Sequence, residues 1–266
     1  PVGHPLGGDL TRKRIAEFRW PDPLQEGRFP GLAEEARRMR ETGCAVMFSL
    51  YGLGLWEVAW MLHGLEGTLV DFMLQPALME DLLDRILEFQ MRLWEKTFEV
   101  VGENVDICLH SEDLGSQNGP IMSPELYRTF LKPRQTELFA HIKKTARNDV
   151  KILLHSCGSI RKLIPDLIET GIDALNPIQV SAAGMDTREL KREFGKDLCF
   201  WGGGIDTQEI LPKGSPAEVR DEVKRRIDDL APGGGFVFAA VHNIQPDVPP
   251  ENIEAMWEAF QAQAES

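Results

Sequence analysis

The sequence between residues 151 and 158 reads Lys151-Ile152-Leu153-Leu154-His155-Ser156-Cys157-Gly158, an apolar run that ends in a histidine and a thiol. A short, nearly continuous apolar run is typical of a strand buried on both faces of a parallel sheet. Five other segments resemble it, namely residues 45–51, 105–110, 174–179, 198–201 and 236–241. Segments with helical spacing of apolar residues separate the runs, including 31–42, 55–75 and 77–102, so the sequence predicts an α/β fold.

Polar side chains follow every predicted strand but the first. A (β/α)8 barrel gathers the carboxyl ends of all its strands into one mouth, whereas a doubly wound sheet binds its ligand at a switch point that only some strands reach. The pattern therefore predicts a (β/α)8 TIM barrel that lacks one or more N-terminal strands. The run Gly202-Gly203-Gly204 does not have the spacing and acidic partner of a dinucleotide fingerprint, so we expect no nicotinamide site.

The length of 266 residues suits one large α/β domain. Residues 1–30 mix glycine, proline and charge, and Trp20-Pro21-Asp22-Pro23 blocks a continuous helix. We expect an N-terminal arm over residues 1–30 and a barrel domain over residues 31–266. Because the sequence begins with Pro1, we also expect it to lack an N-terminal part of the natural chain.

The formal net charge is −13, from 29 Lys and Arg against 42 Asp and Glu. Nucleic acids and anionic membranes are bound by clustered positive charge, so neither is an expected partner. No apolar stretch reaches the roughly 18 to 20 residues that span a bilayer, and no signal-peptide pattern begins the sequence. The four scattered cysteines do not form a disulfide framework, which favours a reducing, cytoplasmic location.

His155 and Cys157 form a pattern that suits a metal ion. In an extended backbone alternate side chains share a face, so the two side chains point the same way while Ser156 points away. An imidazole and a thiolate together suit zinc. A third ligand is available in His242, which closes the run 236–241 and meets the end of the earlier strand if both strands are parallel. The alternative is a hydrogen-bonded histidine at a strand end beside a small buried thiol.

Three acidic residues near strand ends are candidates for catalysis. Asp206 follows the glycine run, where it could orient a metal-bound ligand or accept a proton; equally, it could cap the next helix. Glu112 and Asp113 follow the second predicted strand as candidates for a fourth metal ligand or a general base. Hydrogen bonding within the loop is the alternative for both.

Four further residues at predicted strand ends are candidates for substrate binding, and they are Asn176, Gln179, Trp201 and Gln208. Asn176 and Gln179 flank Pro177 and could donate hydrogen bonds to a substrate or instead fix the loop. Trp201 is expected to form a wall of the pocket.

Several segments resemble the uroporphyrinogen decarboxylase superfamily, which includes cobalamin-dependent methyltransferases that use zinc. The segments are Ser49-Leu50-Tyr51-Gly52-Leu53-Gly54-Leu55, Asp113 through Ser123-Pro124 to Lys132-Pro133, Trp201-Gly202-Gly203-Gly204-Ile205-Asp206, and His242-Asn243-Ile244-Gln245-Pro246-Asp247 with the residues after it to Ile253. The last of these segments is the most specific. The resemblance spans most of the chain and implies a barrel enzyme.

The resemblance allows two chemistries. The methyltransferases carry H-x-C at one strand end, as His155-Ser156-Cys157 does, but a cysteine at the late position where this chain has His242. The decarboxylases carry a histidine there, yet they also use an N-terminal arginine-rich motif that this sequence does not show, an absence that could reflect truncation. The H-x-C pair favours the methyltransferases, and a ligand set of His155, Cys157 and His242 would leave zinc one open position, as catalytic zinc requires.

The resemblance thus implies a zinc-dependent methyltransferase-like enzyme that moves a methyl group between a small substrate and a corrinoid (cobalamin) on a partner protein. A histidine in place of the cysteine makes zinc a stronger Lewis acid, so the substrate could be an alcohol or ether oxygen instead of a thiol. The first alternative is a metal-independent tetrapyrrole decarboxylase of porphyrin biosynthesis. The second is a non-catalytic corrinoid- or substrate-binding module, and self-association into a homo-oligomer is expected of such barrels.

Overall fold

The computed structural model describes residues 3–50, 52 and 54–264. Tyr51 and Leu53, which belong to the predicted first strand and the turn after it, lie outside the described residues. The chain divides into two compact units. The first unit comprises Pro1–Asp113, Met122–Leu154 and Glu169–Ile172, and the second comprises Leu114–Ile121, His155–Ile168 and Asp173–Ser266.

The strands of the first unit are short and parallel. Strand β1 covers Met47–Ser49 and strand β2 covers Ile107–Ser111, with Met47 opposite Ile107 in the register. Strand β3 covers Lys151–His155, of which residues 151–154 belong to the first unit and His155 to the second, and the Lys151 amide donates to the Asp106 carbonyl at 2.9 Å, just before β2 begins. The predicted boundaries of these strands are therefore correct to within about two residues.

Helices α1 to α7 accompany these strands, and their bounds are Arg12–Glu17, Leu32–Glu41, Leu55–His63, Leu65–Leu74, Pro76–Val101, Pro124–Leu126 and Lys132–Thr145. A single π-helical turn over Tyr127–Leu131 joins α6 to α7. In α5 Leu78 and Met91 are half-buried, but the other apolar positions predicted from their helical spacing are buried, including Leu82, Leu83 and Trp94. These side chains form the core of the first unit.

The single helix predicted over 55–75 is wrong in one respect. It is divided into α3 and α4 by Gly64, whose φ of +93° is incompatible with a continuous helix. The predicted arm over residues 1–30 contains α1 and a 3₁₀ turn, Glu26–Arg28, and its Leu6, Leu10 and Ile15 are buried.

The second unit contains β4, β5 and β6, which cover Ala174–Asn176, Cys199–Trp201 and Phe236–Val237. They pair in parallel, with Leu175 opposite Phe200 and Phe200 opposite Phe236. The helices α8 to α12 cover Ile164–Glu169, Thr187–Phe194, Ile210–Lys213, Pro216–Leu230 and Pro250–Ala264. An apolar cluster at α10, α11 and α12 contains Ile205, Leu211, Val219, Val223, Val248 and Ala255.

Strand β6 is shorter than the predicted run 236–241, but the segment after it stays hydrogen-bonded alongside the segment that follows β5. The amides of Gly202 and Gly204 donate to the carbonyls of Val237 and Ala239, each at 2.9 Å, and the Val241 amide donates to the Ile205 carbonyl at 3.1 Å. Gly202 and Gly203 both have φ of +84°, which interrupts the regular ladder. The hydrogen bonds nevertheless bring the chain to His242 at the carboxyl end of the strand.

The prediction of an α/β fold with six parallel strands joined by helices is confirmed. Within residues 3–50, 52 and 54–264, no helix is long and apolar enough to cross a membrane.

Candidate metal centre

Three side chains of the second unit could hold a metal ion together. His155 is the last residue of β3, Cys157 lies two residues further on, and His242 follows β6. One ligand atom from each lies within 4.8 Å of those of the other two. The Cys157 Sγ atom is 3.5 Å from His155 Nε2, and the rings of His155 and His242 have centroids 6.4 Å apart. The structure brings together the three residues predicted as metal ligands.

Alternation of side chains along the end of β3 produces half of this arrangement. Ser156 is fully buried on the opposite side, where its hydroxyl accepts from the Leu114 amide at 3.0 Å. Its own amide donates to the Asn176 carbonyl at 2.7 Å, which continues the extended backbone beyond β3. His155 and Cys157 therefore share the other face, as predicted.

The turn after Cys157 depends on two glycines. Gly158 has φ of +89°, and a Cβ atom there would lie 2.4 Å from the carbonyl carbon of Gly115. A Cβ atom on Gly115 would lie 2.5 Å from the Cys157 carbonyl oxygen. The two backbones pack directly against each other, and no side chain fits between them.

The His155 ring is held by an amide. His155 Nδ1 lies 2.6 Å from Asn176 Oδ1, and Asn176 Nδ2 donates to the Trp201 carbonyl at 3.0 Å. This places β4 and β5 behind the histidine at the end of β3. Asn176 and Trp201 are both half-buried.

The donor set fits a tetrahedral metal. Zinc bonds of about 2.0–2.1 Å to nitrogen and 2.3 Å to sulfur place the two atoms about 3.6 Å apart, close to the 3.5 Å between His155 Nε2 and Cys157 Sγ. His155 is only 9% exposed, Cys157 is half-buried and His242 is exposed. The three candidate ligands thus form a cluster with a buried side and a solvent side.

Amide side chains fix the loops beside this site. Gln179 Oε1 accepts from the Gly158 amide at 2.7 Å, and Gln179 Nε2 donates to Gln117 Oε1 at 2.6 Å. Gln117 Nε2 in turn donates to Gln208 Oε1 at 2.9 Å, and that oxygen also accepts from the Ser181 hydroxyl. Gln179 and Gln208, both candidates for substrate binding, are therefore engaged in loop contacts.

Asp206 has the contacts of a turn that precedes α10, whose N-cap is Glu209. Its Oδ1 atom accepts from the Gln208 amide at 2.8 Å, its carbonyl accepts from the Leu211 amide, and the residue is buried. The side chain therefore fixes a local turn, and the alternative that Asp206 caps the next helix is wrong, because α10 begins after Glu209. A catalytic role for Asp206 stays a prediction.

Glu112 and Asp113 belong to the first unit. Glu112 is fully buried, and its carboxylate accepts from the amides of Leu55, Trp56 and Glu57 at the start of α3, at 2.8, 2.7 and 3.2 Å. A further bond comes from the Gln135 side chain at 3.2 Å. These contacts satisfy the buried amides of the first turn of α3, which have no partner within the helix, and they favour the hydrogen-bonding alternative over the predicted catalytic role.

A second buried carboxyl lies next to Glu112. Burial raises the pKa of Glu57, and the charges of Glu112 and Asp113 raise it further, while the hydrogen bond from the Ser111 hydroxyl opposes the shift. Asp113 itself is half-buried. Glu57 was not among the residues predicted from the sequence, because it lies within a helix that read as ordinary apolar core.

Gln117 was also missed. It lies in the loop Gly115-Ser116-Gln117-Asn118-Gly119 after β2, where several polar residues are equivalent as far as the sequence shows. Its position after a predicted strand was the available signal, and it did not distinguish Gln117 from its neighbours.

Parallel strands whose carboxyl ends carry His155, Cys157 and His242 define an α/β protein with a candidate metal centre at its strand ends. The family model described as uroporphyrinogen decarboxylase (URO-D) matches residues 8–263. The chain belongs to this family, and the resemblance noted in the sequence is confirmed.

The curated relatives include methyltransferases and decarboxylases. The methylated-thiol–coenzyme M methyltransferase of Methanosarcina mazei is 25% identical over 246 residues, which cover 90% of this chain and 60% of the relative. The methylcobamide:CoM methyltransferase MtaA of Methanosarcina barkeri is 29% identical over 161 residues, which cover 59% of this chain and 42% of the relative. The uroporphyrinogen decarboxylase of Alkalilimnicola ehrlichii is 24% identical over 243 residues, which cover 90% of this chain and 63% of the relative.

A solved structure described as a methyltransferase from Methanosarcina mazei superposes with a TM-score of 0.74 at 22% identity, covering 99% of this chain and 72% of that one. This similarity shows the fold, which is consistent with a partial (β/α)8 barrel. The chain spans less than two thirds of the length of the three curated relatives.

Proposed function

We propose that the chain binds Zn²⁺ through His155, Cys157 and His242 and belongs to a methyltransferase that moves a methyl group between a small substrate and a corrinoid. The observation that carries the proposal is the convergence of three donor atoms within 4.8 Å. Two relatives whose names specify methyl transfer to coenzyme M support it. A tetrapyrrole decarboxylase would have no need of this donor set.

Zinc held by His155, Cys157 and His242 would supply a Lewis acid that lowers the pKa of a bound thiol or hydroxyl. The protein's part is to hold the donors and the approach to them. The buried His155 and the half-buried Cys157 fix one side, and the exposed His242 leaves the opposite side open to solvent. A small acceptor and a bulky methyl carrier would both approach from that open side.

The same side is the proposed substrate site. Gln208 is exposed and accepts from Gln117 and Ser181, so its contacts could rearrange around a ligand. Trp201 is half-buried at the end of β5 and is retained as a pocket wall. Asp206 is retained as a candidate proton acceptor beside its hydrogen bond to the Gln208 amide.

The methyl carrier is proposed to be a corrinoid on a partner protein. One relative's name specifies a methylcobamide as methyl donor, and this chain spans only 42% of that relative's length. The acceptor class depends on the ligand set: a second histidine donates less charge than a thiolate would, which favours an oxygen acceptor over a thiol.

Metal content tests the proposal first. The purified chain should contain close to one zinc per molecule, and both His155→Ala and Cys157→Ala should lose it while keeping the circular dichroism of the parent. Cys199→Ala is the matched control, because Cys199 is half-buried like Cys157 but is not one of the three donors. Zinc that persists in both ligand variants would contradict the site.

Methyl transfer is tested with methylcobalamin and matched thiol and alcohol acceptors. Transfer of the methyl group as a cation equivalent leaves the bond pair on cobalt and releases the acceptor's proton, so cob(I)alamin absorbance measures turnover. Turnover that depends on His242 and is faster with the alcohol supports both parts of the proposal. Faster turnover with the thiol would refute the oxygen preference, and stoichiometric tetrapyrrole decarboxylation without metal would refute the methyltransferase proposal as a whole.

A further inference from the structure

Asn176 lies behind the candidate metal centre, at the end of β4. Its side chain makes two hydrogen bonds: Oδ1 lies 2.6 Å from His155 Nδ1, and Nδ2 lies 3.0 Å from the Trp201 carbonyl oxygen. Its backbone carbonyl accepts from the Ser156 amide at 2.7 Å, between the two strand-end ligands. One residue therefore contacts the H-x-C segment through both its backbone and its side chain.

The Trp201 carbonyl determines which way the Asn176 amide points. A carbonyl oxygen only accepts, so the NH₂ group of Asn176 has to face it. The amide oxygen is then left facing His155 Nδ1. Because that oxygen also only accepts, the proton of this hydrogen bond must be on His155 Nδ1.

The protonation of Nδ1 fixes the other nitrogen. In a neutral imidazole one nitrogen carries the proton and the other carries a lone pair, so His155 Nε2 is the acceptor. That atom is the one 3.5 Å from Cys157 Sγ. We propose that Asn176 is a positioning residue, which holds His155 as the Nδ1–H tautomer and thereby aims the Nε2 lone pair at the metal site.

This inference rests on the proposed function in so far as it assigns a metal to that site. It also gives Asn176 a role different from the substrate contact predicted from the sequence, because its oxygen and its NH₂ group are both occupied within the protein. Metal-bound histidines commonly donate their second N–H to such an acceptor, which orients the ring.

The backbone beyond β5 leaves room for this amide. Gly202 has φ of +84°, and a Cβ atom there would lie 3.2 Å from Asn176 Nδ2 and 3.3 Å from the Ala240 carbonyl oxygen. An aspartate at position 176 would keep the acceptor for His155 but would place its second oxygen against the Trp201 carbonyl. Asparagine is the residue that satisfies both neighbours.

The tautomer is measured directly in the metal-free wild-type chain. Long-range ¹H–¹⁵N correlation spectra of ¹⁵N-histidine-labelled protein distinguish the two tautomers, and His155→Ala assigns the resonance. We expect Nδ1–H for His155 in the wild type, and a mixture or the Nε2–H tautomer in Asn176→Ala. The Nε2–H tautomer in the wild type would overturn the proposal without any variant having to fold.

Zinc affinity is measured separately by competition with a chromogenic chelator. Asn176→Ala should bind zinc about 10- to 100-fold more weakly than the wild type. Asn176→Asp should recover most of that affinity, since it restores the acceptor for His155. The control is Asn118→Ala, which replaces an exposed asparagine and should bind zinc as tightly as the wild type. Unchanged affinity and tautomer in Asn176→Ala would overturn the proposal.

The two readouts separate this inference from the proposed function. If the folded wild type binds no zinc, the proposed function fails. The tautomer comparison between wild type and Asn176→Ala still decides whether Asn176 positions the ring.

Discussion

Replacement of Glu112 by glutamine tests whether this carboxylate supports the fold or takes part in catalysis. Oε1 accepts from the Trp56 and Glu57 amides, and Oε2 accepts from the Leu55 amide and the Gln135 side chain. Glutamine keeps one oxygen, and its NH₂ group must then face two donors. Glu112→Gln therefore loses two hydrogen bonds to a buried charge.

The expected loss of stability follows from those two bonds. Hydrogen bonds to a charged group contribute about 1.5–3 kcal/mol each, so Glu112→Gln should reduce the free energy of unfolding by about 3–6 kcal/mol. Relief of the repulsion between Glu112 and Glu57 lowers this loss and does not reverse it. For a domain stable by about 5–15 kcal/mol, the change is a large part of the total.

Urea denaturation followed by tryptophan fluorescence measures the effect. Trp56 and Trp94 are both buried in the first unit, and Trp56 lies in the first turn of α3, so fluorescence reports on the affected helix. Glu137→Gln, on the exposed face of α7, is the matched control and should differ from the wild type by less than about 0.5 kcal/mol. A Glu112→Gln chain as stable as the control, but without turnover, would refute the capping role and restore the catalytic one.

Arg226→Met removes the two hydrogen bonds that Arg226 donates to the buried carboxylate of Glu222 on α11 and leaves it a 3.5 Å contact with the exposed Arg225, so we expect the free energy of unfolding in urea to fall by about 3 kcal/mol, most of it recovered when Glu222→Leu is added. The wild type should lose stability as pH rises from the ordinary glutamate pKa through the raised pKa of Glu57, because the buried acid ionises in this range. Glu57→Gln does not ionise there, so its free energy of unfolding should rise relative to that of the wild type. A difference between the two that does not vary with pH in denaturation experiments would contradict this. Burial raises the pKa of the Cys108 thiol to about 12, so a disulfide reagent at pH 8 should label the exposed Cys44 in the native protein and Cys108 only after unfolding, as peptide mass spectrometry would show.

The sequence was a good guide to the strands and to their ends. The apolar run before His155 folds as β3, and alternation along an extended backbone correctly predicts that His155 and Cys157 share a face. Parallel strands also imply that His242 lies near them, since the carboxyl ends of such strands are at the same edge of a sheet. The periodic apolar pattern of α5 correctly predicts both the helix and most of its buried face.

Other features depend on contacts between distant segments and were beyond reach of the sequence. The helix break at Gly64 comes from the positive φ of this residue, and the sequence does not show which φ a glycine inside an apolar helical pattern adopts. Glu112 was predicted to be catalytic because it follows a strand, but the α3 amides it caps are far away in the chain. The hydrogen bonds of Asn176 to His155 and to the Trp201 carbonyl also join residues distant in the sequence, so they become visible only in the folded chain.

The contact between Gly115 and Gly158 has a consequence for how this chain tolerates change. Each position excludes every side chain, because a Cβ atom on either would overlap the backbone of the other segment. A deep mutational scan should therefore find both positions intolerant, and a double substitution would add to the overlap instead of relieving it. The candidate ligand positions could be occupied by histidine, cysteine or a carboxylate, while these two positions accept only glycine as long as the turn carrying Cys157 keeps its shape.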